Sequence, residues 1–111
     1  MLQVELARTP AQRALGLMNR RSLAPRAGMV FQFAQPTTSA FWMKDTLIPL
    51  DIAFYDGRGR ILRILTMQPC RTASCPVYDP RVTYRGALEV NAGSLRRWGV
   101  ARGDRIVVRA A

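Results

Sequence analysis

The sequence has no histidine, only seven acidic residues and a single lysine, Lys44, among its 111 residues. Without histidine it has neither imidazole acid–base catalysis nor imidazole metal ligands. Its two cysteines cannot build a four-cysteine zinc site. No apolar run approaches the roughly 20 residues of a membrane-spanning helix, and no glycine-rich dinucleotide loop is present. The sequence therefore predicts no metal, no cofactor and no transmembrane segment.

Basic residues, in contrast, are abundant. The chain has 17 Lys and Arg against 7 Asp and Glu, a net charge of +10, and 16 of the 17 are arginine. Such a balance is typical of proteins that meet nucleic acid, anionic membranes or acidic partners. The arginines are scattered, however, and no segment has five like charges in a row. Two interpretations stay open: a solvated surface set by biased composition, and an anion-binding surface.

Composition places the chain among globular proteins. Its 49% hydrophobic content is too high for a disordered chain. The length suits one domain, and we find neither an internal repeat nor a low-complexity linker, so we expect a single domain over residues 1–111. The start, residues 1–6, lacks the basic segment and apolar stretch of a signal peptide.

Hydrophobic periodicity predicts mostly strands. Thr9, Pro10 and Gln12 form the capping pattern of a helix over 10–18, whose Ala14 and Leu15 would face a core. A second short helix is predicted over 94–98, and Asp56–Gly59 is a hairpin signal. We expect an α+β, mainly β domain: a small antiparallel sheet, barrel-like or sandwich-like, with one or two short helices. The predicted strands are 2–6, 29–33, 50–55, 60–67, 84–90 and 105–109, with an extended segment at 39–44.

The densest group of polar side chains among apolar ones lies in the segment Phe41–Asp51. The only lysine, Lys44, falls here, and its compact ammonium can pair closely with a carboxylate. By strand alternation, Asp51 lies opposite Leu50 and Ile52. Glu89 likewise alternates with apolar neighbours in its own strand. If both faces of these strands are covered, the two carboxylates need partners, because a buried unpaired charge is costly.

Three interpretations of this group stay open. Lys44 pairs with Asp51 or Glu89 and fixes strand register without any ligand; these residues line a small polar pocket; or Lys44 and the carboxylates act on a substrate, although no positioned nucleophile or base is visible. We assign no catalytic residue. The candidate ligand-binding residues are Trp42, Met43, Lys44, Asp45, Thr46, Asp51, Tyr84, Glu89 and Asn91.

Cys70 and Cys75 flank four residues in a proline-rich segment. The spacing is not that of a Cys-x-x-Cys redox site. We predict a local disulfide that holds this loop, with about 2 kcal/mol of stabilisation from chain entropy. Two free thiols are the alternative.

Several motifs together resemble the prokaryotic domain-of-unknown-function family 192: Gly16–Met18, Gly28–Phe31, Phe41–Asp51, the two Pro-flanked cysteines and Ala87–Gly93. The resemblance spans about residues 3–108, with Asp45 where the family more usually has Asn. It implies a small β-rich, barrel-like domain with one or two helices. Many members look exported, with an N-terminal signal or anchor that this chain lacks. The family has no established activity.

The sequence and the resemblance lead to one functional hypothesis with two alternatives. We expect a non-catalytic binding or accessory module with a polar pocket around Phe41–Asp51, for a small polar ligand or a protein partner. The alternatives are an enzyme acting on a small polar substrate through Lys44 and nearby carboxylates, and a basic surface that binds nucleic acid or another anion.

Overall fold

A computed structural model describes residues 1–109, in which seven strands and two short helices follow one another along the chain. This confirms the mainly β prediction. None of these helices has the length and apolarity to cross a membrane. In chain order the elements are β1 (Gln3–Ala7), α1 (Pro10–Leu15), β2 (Ala27–Thr37), β3 (Phe41–Trp42), β4 (Leu50–Tyr55), β5 (Ile61–Met67), β6 (Val77–Tyr78), β7 (Tyr84–Asn91) and α2 (Ser94–Arg97).

Five of the strands form one mixed sheet in the order β1-β2-β7-β4-β5, and β3 pairs with β6 separately. Neighbours in the large sheet are antiparallel except β1 and β2, which are parallel because α1 and the following loop carry the chain back between them. The sheet has β1 and β5 as its edges and does not close into a barrel. The central strand β7 is therefore flanked by a hydrogen-bonded strand at each edge.

Helix α1 begins as its sequence predicts. The Thr9 hydroxyl accepts from the Gln12 amide at 3.1 Å, and the Gln12 side chain accepts from the Thr9 amide at 3.1 Å. The helix ends at Leu15, earlier than the predicted 18, because Gly16 turns the chain at a φ of 49°. No residue of α1 is buried, so the prediction that Ala14 and Leu15 face a core is wrong.

Strand alternation gives the large sheet two apolar faces. In the register, Glu89 lies between Met29 and Ile52, and the adjacent Val90 lies beside Asp51. One face carries Phe31, Phe54 and other large side chains, and we call it the aromatic face. The opposite face carries smaller aliphatic residues against α2, and we call it the helix face. The buried apolar side chains of the strands thereby form two separate clusters, one on each face.

The predicted last strand, 105–109, is wrong. Arg105 makes only an isolated bridge with Arg60, and the residues after it have no ladder. This segment hydrogen-bonds the end of the Asp56–Gly59 hairpin, where the Ile106 amide donates to the Gly59 carbonyl at 2.7 Å. Ile106 and Val108 pack on the helix face. The alternation at 105–109 therefore reflects which side chains are covered, without strand pairing.

Candidate functional site

A cavity of about 230 Å³ opens at the aromatic face, beside the central strand β7. Three parts of the chain enclose it: the end of α1 with the loop that follows, strand β2, and the segment 39–43. Glu89 lines it from β7, and Thr46 lines it from the turn after β3. The sequence motif Phe41–Asp51 thus contributes one wall, and the other walls come from distant parts of the chain.

The Glu89 side chain is 4% exposed, and its register neighbours Met29 and Ile52 are apolar. Its carboxyl group accepts no hydrogen bond from residues 1–109. Within the same residues, every side-chain N or O atom that is fully sealed from solvent has a hydrogen-bond partner, so the Glu89 oxygens are not fully sealed. The Glu89 oxygens therefore open into the cavity. Burial raises the pKa of Glu89 to about 8, so the group is mostly protonated at neutral pH.

The remaining cavity wall is largely aromatic. Phe31 and Phe41 pack edge to face with ring centroids 5.0 Å apart. The Arg13 guanidinium lies 4.6 Å from the Phe33 ring centroid and donates to the carbonyls of Arg8 and Gln32 at 2.7 and 2.9 Å. Trp42, 51% exposed, also lines the cavity. The site is a buried acid among aromatic rings.

Asp51 is equally buried, at 5% exposure, but lies on the helix face. Its Oδ1 accepts from the Thr66 hydroxyl at 2.8 Å, and its Oδ2 accepts from the Gly93 amide at 2.8 Å. These bonds join β4 to β5 and to the turn that starts α2. Asp51 is a structural carboxylate with both oxygens in use.

Of the three interpretations of the group around Lys44, the ion pair of Lys44 with Asp51 or Glu89 is wrong. Lys44 Nζ donates to the Thr72 carbonyl at 2.8 Å, in the cysteine loop. Within residues 1–109, the only side-chain ion pair joins Arg20 and Glu5. Glu89 is paired with Ile52, the residue after Asp51, and successive residues of a strand point to opposite faces of the sheet. The two carboxylates therefore lie on opposite faces and cannot share one partner.

Asp45 has a structural role in the backbone of the turn after β3. Its φ of 56° is in the left-handed region that Asn and Asp tolerate better than most residues. Its amide donates to the Cys70 carbonyl at 2.9 Å, and its carbonyl accepts from the Asn19 amide at 2.8 Å. This left-handed conformation explains why the position can hold Asp, as here, or Asn, as is more usual in the family.

Two more candidates lie outside the cavity lining. The Tyr84 hydroxyl donates to the Ser39 carbonyl at 2.7 Å, and burial raises its pKa. Asn91 donates through Nδ2 to the Leu23 carbonyl at 2.8 Å. The cavity therefore brings together four of the predicted residues and leaves the other five elsewhere; the four are Trp42, Met43, Thr46 and Glu89.

The predicted disulfide is confirmed, with Cys70 and Cys75 Cα atoms 5.9 Å apart. The loop that it closes is fixed to the 44–46 segment by isolated bridges at Lys44 and Thr46. The lone lysine thus anchors this loop.

Sequence reasoning missed the wall formed by the end of α1 and by β2. Leu15 is 59% exposed and lines the cavity, as do Gly16, Leu17 and Phe33. Two of the motifs that carry the family resemblance, Gly16–Met18 and Gly28–Phe31, lie in this region. Nothing in the linear pattern relates it to Glu89.

Comparison with known proteins gives a family and a fold. The sequence profile of DUF192, described as an uncharacterised ACR family, matches residues 1–108. A Sinorhizobium meliloti 1021 protein described as a "putative transcription regulator" is 42% identical, with a TM-score of 0.85 over 94% of this chain and 79% of its own. A Novosphingobium aromaticivorans DSM 12444 protein of unknown function is 35% identical, with a TM-score of 0.86 over 94% and 73%. Curated proteins gave no significant match.

Proposed function

This chain belongs to DUF192, a family without an assigned activity, and from that premise we propose that it is a non-catalytic binding module whose ligand occupies the cavity beside Glu89. The observation that carries the proposal is the buried Glu89 carboxyl group, which lines the cavity and accepts no hydrogen bond from the described residues, 1–109. Buried polar groups are normally hydrogen-bonded. A ligand would supply the missing partner.

The cavity supports binding better than catalysis. Glu89 is its one acidic lining residue. The Thr46 hydroxyl donates to the Lys44 carbonyl at 3.4 Å, and the Ser39 hydroxyl is 2.8 Å from that of Thr37. Among residues 1–109, neither hydroxyl hydrogen-bonds to a group that could act as its base, so these contacts assemble no activated nucleophile. A volume of about 230 Å³ is below the roughly 300–1,000 Å³ of drug-sized sites and favours a fragment-sized ligand.

The test is a fragment screen by amide chemical shifts, with a variant that blocks the cavity from its edge. Ala40 is exposed and lines the cavity, so Ala40→Trp adds a ring there without disturbing the core. Ala101→Trp is the matched control, since Ala101 is exposed and lies outside the cavity. We expect fragments that shift residues around Glu89 in the natural chain and in Ala101→Trp, but not in Ala40→Trp. No binding at millimolar concentration, or binding that Ala40→Trp leaves intact, refutes the proposal.

Nucleic-acid binding is a second candidate, favoured by the description of the Sinorhizobium relative and by a separate groove of about 700 Å³, which shares Phe33 with the cavity. Four arginines that are far apart in sequence line this groove: Arg8, Arg58, Arg85 and Arg105. Phosphate contacts by such residues weaken steeply as salt increases. Titration of duplex and single strands from low to physiological salt tests it, and absence of binding at low salt removes it.

A further inference from the structure

We propose that the ligand of the Glu89 cavity is a small organic cation, an ammonium group on a short apolar or aromatic body. The ammonium would donate to the Glu89 carboxylate, and the body would lie among the aromatic rings. This inference rests on the proposed function, because it names the chemical class that the same cavity takes. It goes further by excluding neutral and anionic ligands of the same shape.

The first argument is hydrogen-bonding capacity. An ionised carboxylate only accepts hydrogen bonds, whereas an ammonium only donates them. The Glu89 carboxyl group accepts no hydrogen bond from residues 1–109 and opens into the cavity. Without a ligand the group is mostly protonated at neutral pH, and its ionised form persists in this buried position only when it is paired. An ammonium ligand supplies that pairing, since it brings both donors and the opposite charge.

The second argument is the aromatic wall. The faces of aromatic rings attract cations, with tryptophan the strongest. Phe33 already holds a cation, since the Arg13 guanidinium lies 4.6 Å from its ring centroid. Phe31, Phe41 and the half-exposed Trp42 also line the cavity. Rings around one acid suit an ammonium on an apolar body.

The third argument concerns the rival ligand, an anion. Arg13 is the one basic residue lining the cavity, in a chain with 16 arginines. Its Nη1 already donates to the carbonyls of Arg8 and Gln32. An anion would therefore face Glu89 with only the Nη2 and Nε groups of Arg13 as basic donors at the cavity. The net charge of +10 acts from farther away and is screened beyond about 8 Å at physiological ionic strength.

Proton linkage gives the cation a distinct signature. Among residues 1–109, Glu89 and Arg13 are the only charged or titratable groups that line the cavity, and Met29 and Ile52 beside Glu89 in the sheet are apolar. Because burial keeps Glu89 mostly protonated at neutral pH, pairing with an ammonium transfers its proton to the buffer. Affinity should therefore rise with pH, by at most about tenfold per unit, until Glu89 is ionised without ligand.

Three probes of one shape test the inference by calorimetry: phenethylamine, phenethyl alcohol and phenylacetate. We expect phenethylamine to bind at least tenfold more tightly than either of the others, more tightly at pH 8 than at pH 6.5, and with release of a proton. Glu89→Gln should reduce phenethylamine affinity at least tenfold and leave that of phenethyl alcohol nearly unchanged. Circular dichroism checks the fold, and Trp42→Ala, at an exposed position, is a second variant that should weaken phenethylamine severalfold.

The outcomes separate this inference from the proposed function. Equal binding of phenethylamine and phenethyl alcohol, with loss of both in Ala40→Trp, overturns the cation and leaves the binding cavity in place. Tighter binding of phenylacetate that falls above pH 8 assigns an anion instead. If none of the three binds, the cation inference fails, and the fragment screen alone decides whether the cavity binds anything.

Discussion

Asp51 and Glu89 are a natural pair for comparison. They lie on the neighbouring strands β4 and β7 and are 5% and 4% exposed. Both Asp51 oxygens accept hydrogen bonds, from Thr66 and Gly93, on the helix face. Glu89 accepts none from the described residues and lines a cavity on the aromatic face. Two carboxyl groups of equal burial thus have opposite bonding states.

The difference shows that burial alone does not identify a binding residue. A carboxylate whose two oxygens both accept hydrogen bonds from the protein stabilises the elements that supply the donors, and it does not need a ligand to satisfy its charge. A buried carboxyl group without donors destabilises its own charged form and keeps its bonding capacity for another molecule. We therefore assign Asp51 to the fold and Glu89 to the site, and each assignment can be tested by substitution.

The largest effect is expected from Asp51→Ala. It removes two charge-assisted hydrogen bonds and leaves the Gly93 amide without its acceptor. Bonds to charged groups contribute about 1.5–3 kcal/mol each, so the free energy of unfolding should fall by about 3 kcal/mol and Tm by roughly 10–25 °C. Urea and thermal unfolding measure both.

Asp104→Ala is the control for that substitution. Asp104 is exposed and accepts from the Ala101 amide at 2.8 Å, so its loss should reduce the free energy of unfolding by less than about 1 kcal/mol. If Asp51→Ala is no more destabilising than Asp104→Ala, Asp51 does not hold the strands together.

The next effect is the pH dependence that Glu89 gives to stability. The folded pKa is raised from 4.5 to about 8 by burial, so between these values the folded state binds more protons than the unfolded state. Stability is then complete below about pH 4.5 and decreases as pH rises towards about 8. The free energy of unfolding should fall by up to about 2.7 kcal/mol between pH 6 and 8. Glu89→Gln should remove this decrease, as urea unfolding across that range will measure.

Glu5→Gln is a matched control of the same chemistry. Its hydrogen bond with Arg20 lowers the pKa of Glu5, so Glu5 contributes stability that is lost as pH falls through its folded pKa. The variant should keep the decrease between pH 6 and 8. A decrease that persists unchanged in Glu89→Gln would mean that another group carries it.

Local patterns predicted the fold class well. The capping pattern at Thr9, the hairpin at Asp56–Gly59 and the disulfide are all present, because each depends on residues close in sequence. The open sheet and the parallel pairing of β1 with β2 depend on contacts between distant segments. The alternation at 105–109 reported side-chain burial and was mistaken for a strand.

The site was predicted only in part for the same reason. Alternation placed Asp51 and Glu89 each among apolar neighbours, and both are buried. Which face each occupies depends on register, and a shift of one residue would exchange the faces. The register pairs Ile52 with Glu89, so Asp51 points the other way. The pattern within one strand does not contain the register between strands. The hypothesis that Lys44, Asp51 and Glu89 form one group was therefore wrong.

The smallest effect is expected from Lys44→Met, which tests whether the lone lysine serves either carboxylate. Lys44 Nζ has one described bond, to the Thr72 carbonyl in an exposed loop. Losing it should reduce the free energy of unfolding by about 0.5–1 kcal/mol, and Lys44→Arg should restore part of this by keeping a donor. The stability decrease between pH 6 and 8 should be unchanged, because no charge that Glu89 contacts has been removed. Unfolding in urea at both pH values measures this, and a pH dependence altered in Lys44→Met but normal in Lys44→Arg would return the lysine to the Glu89 site.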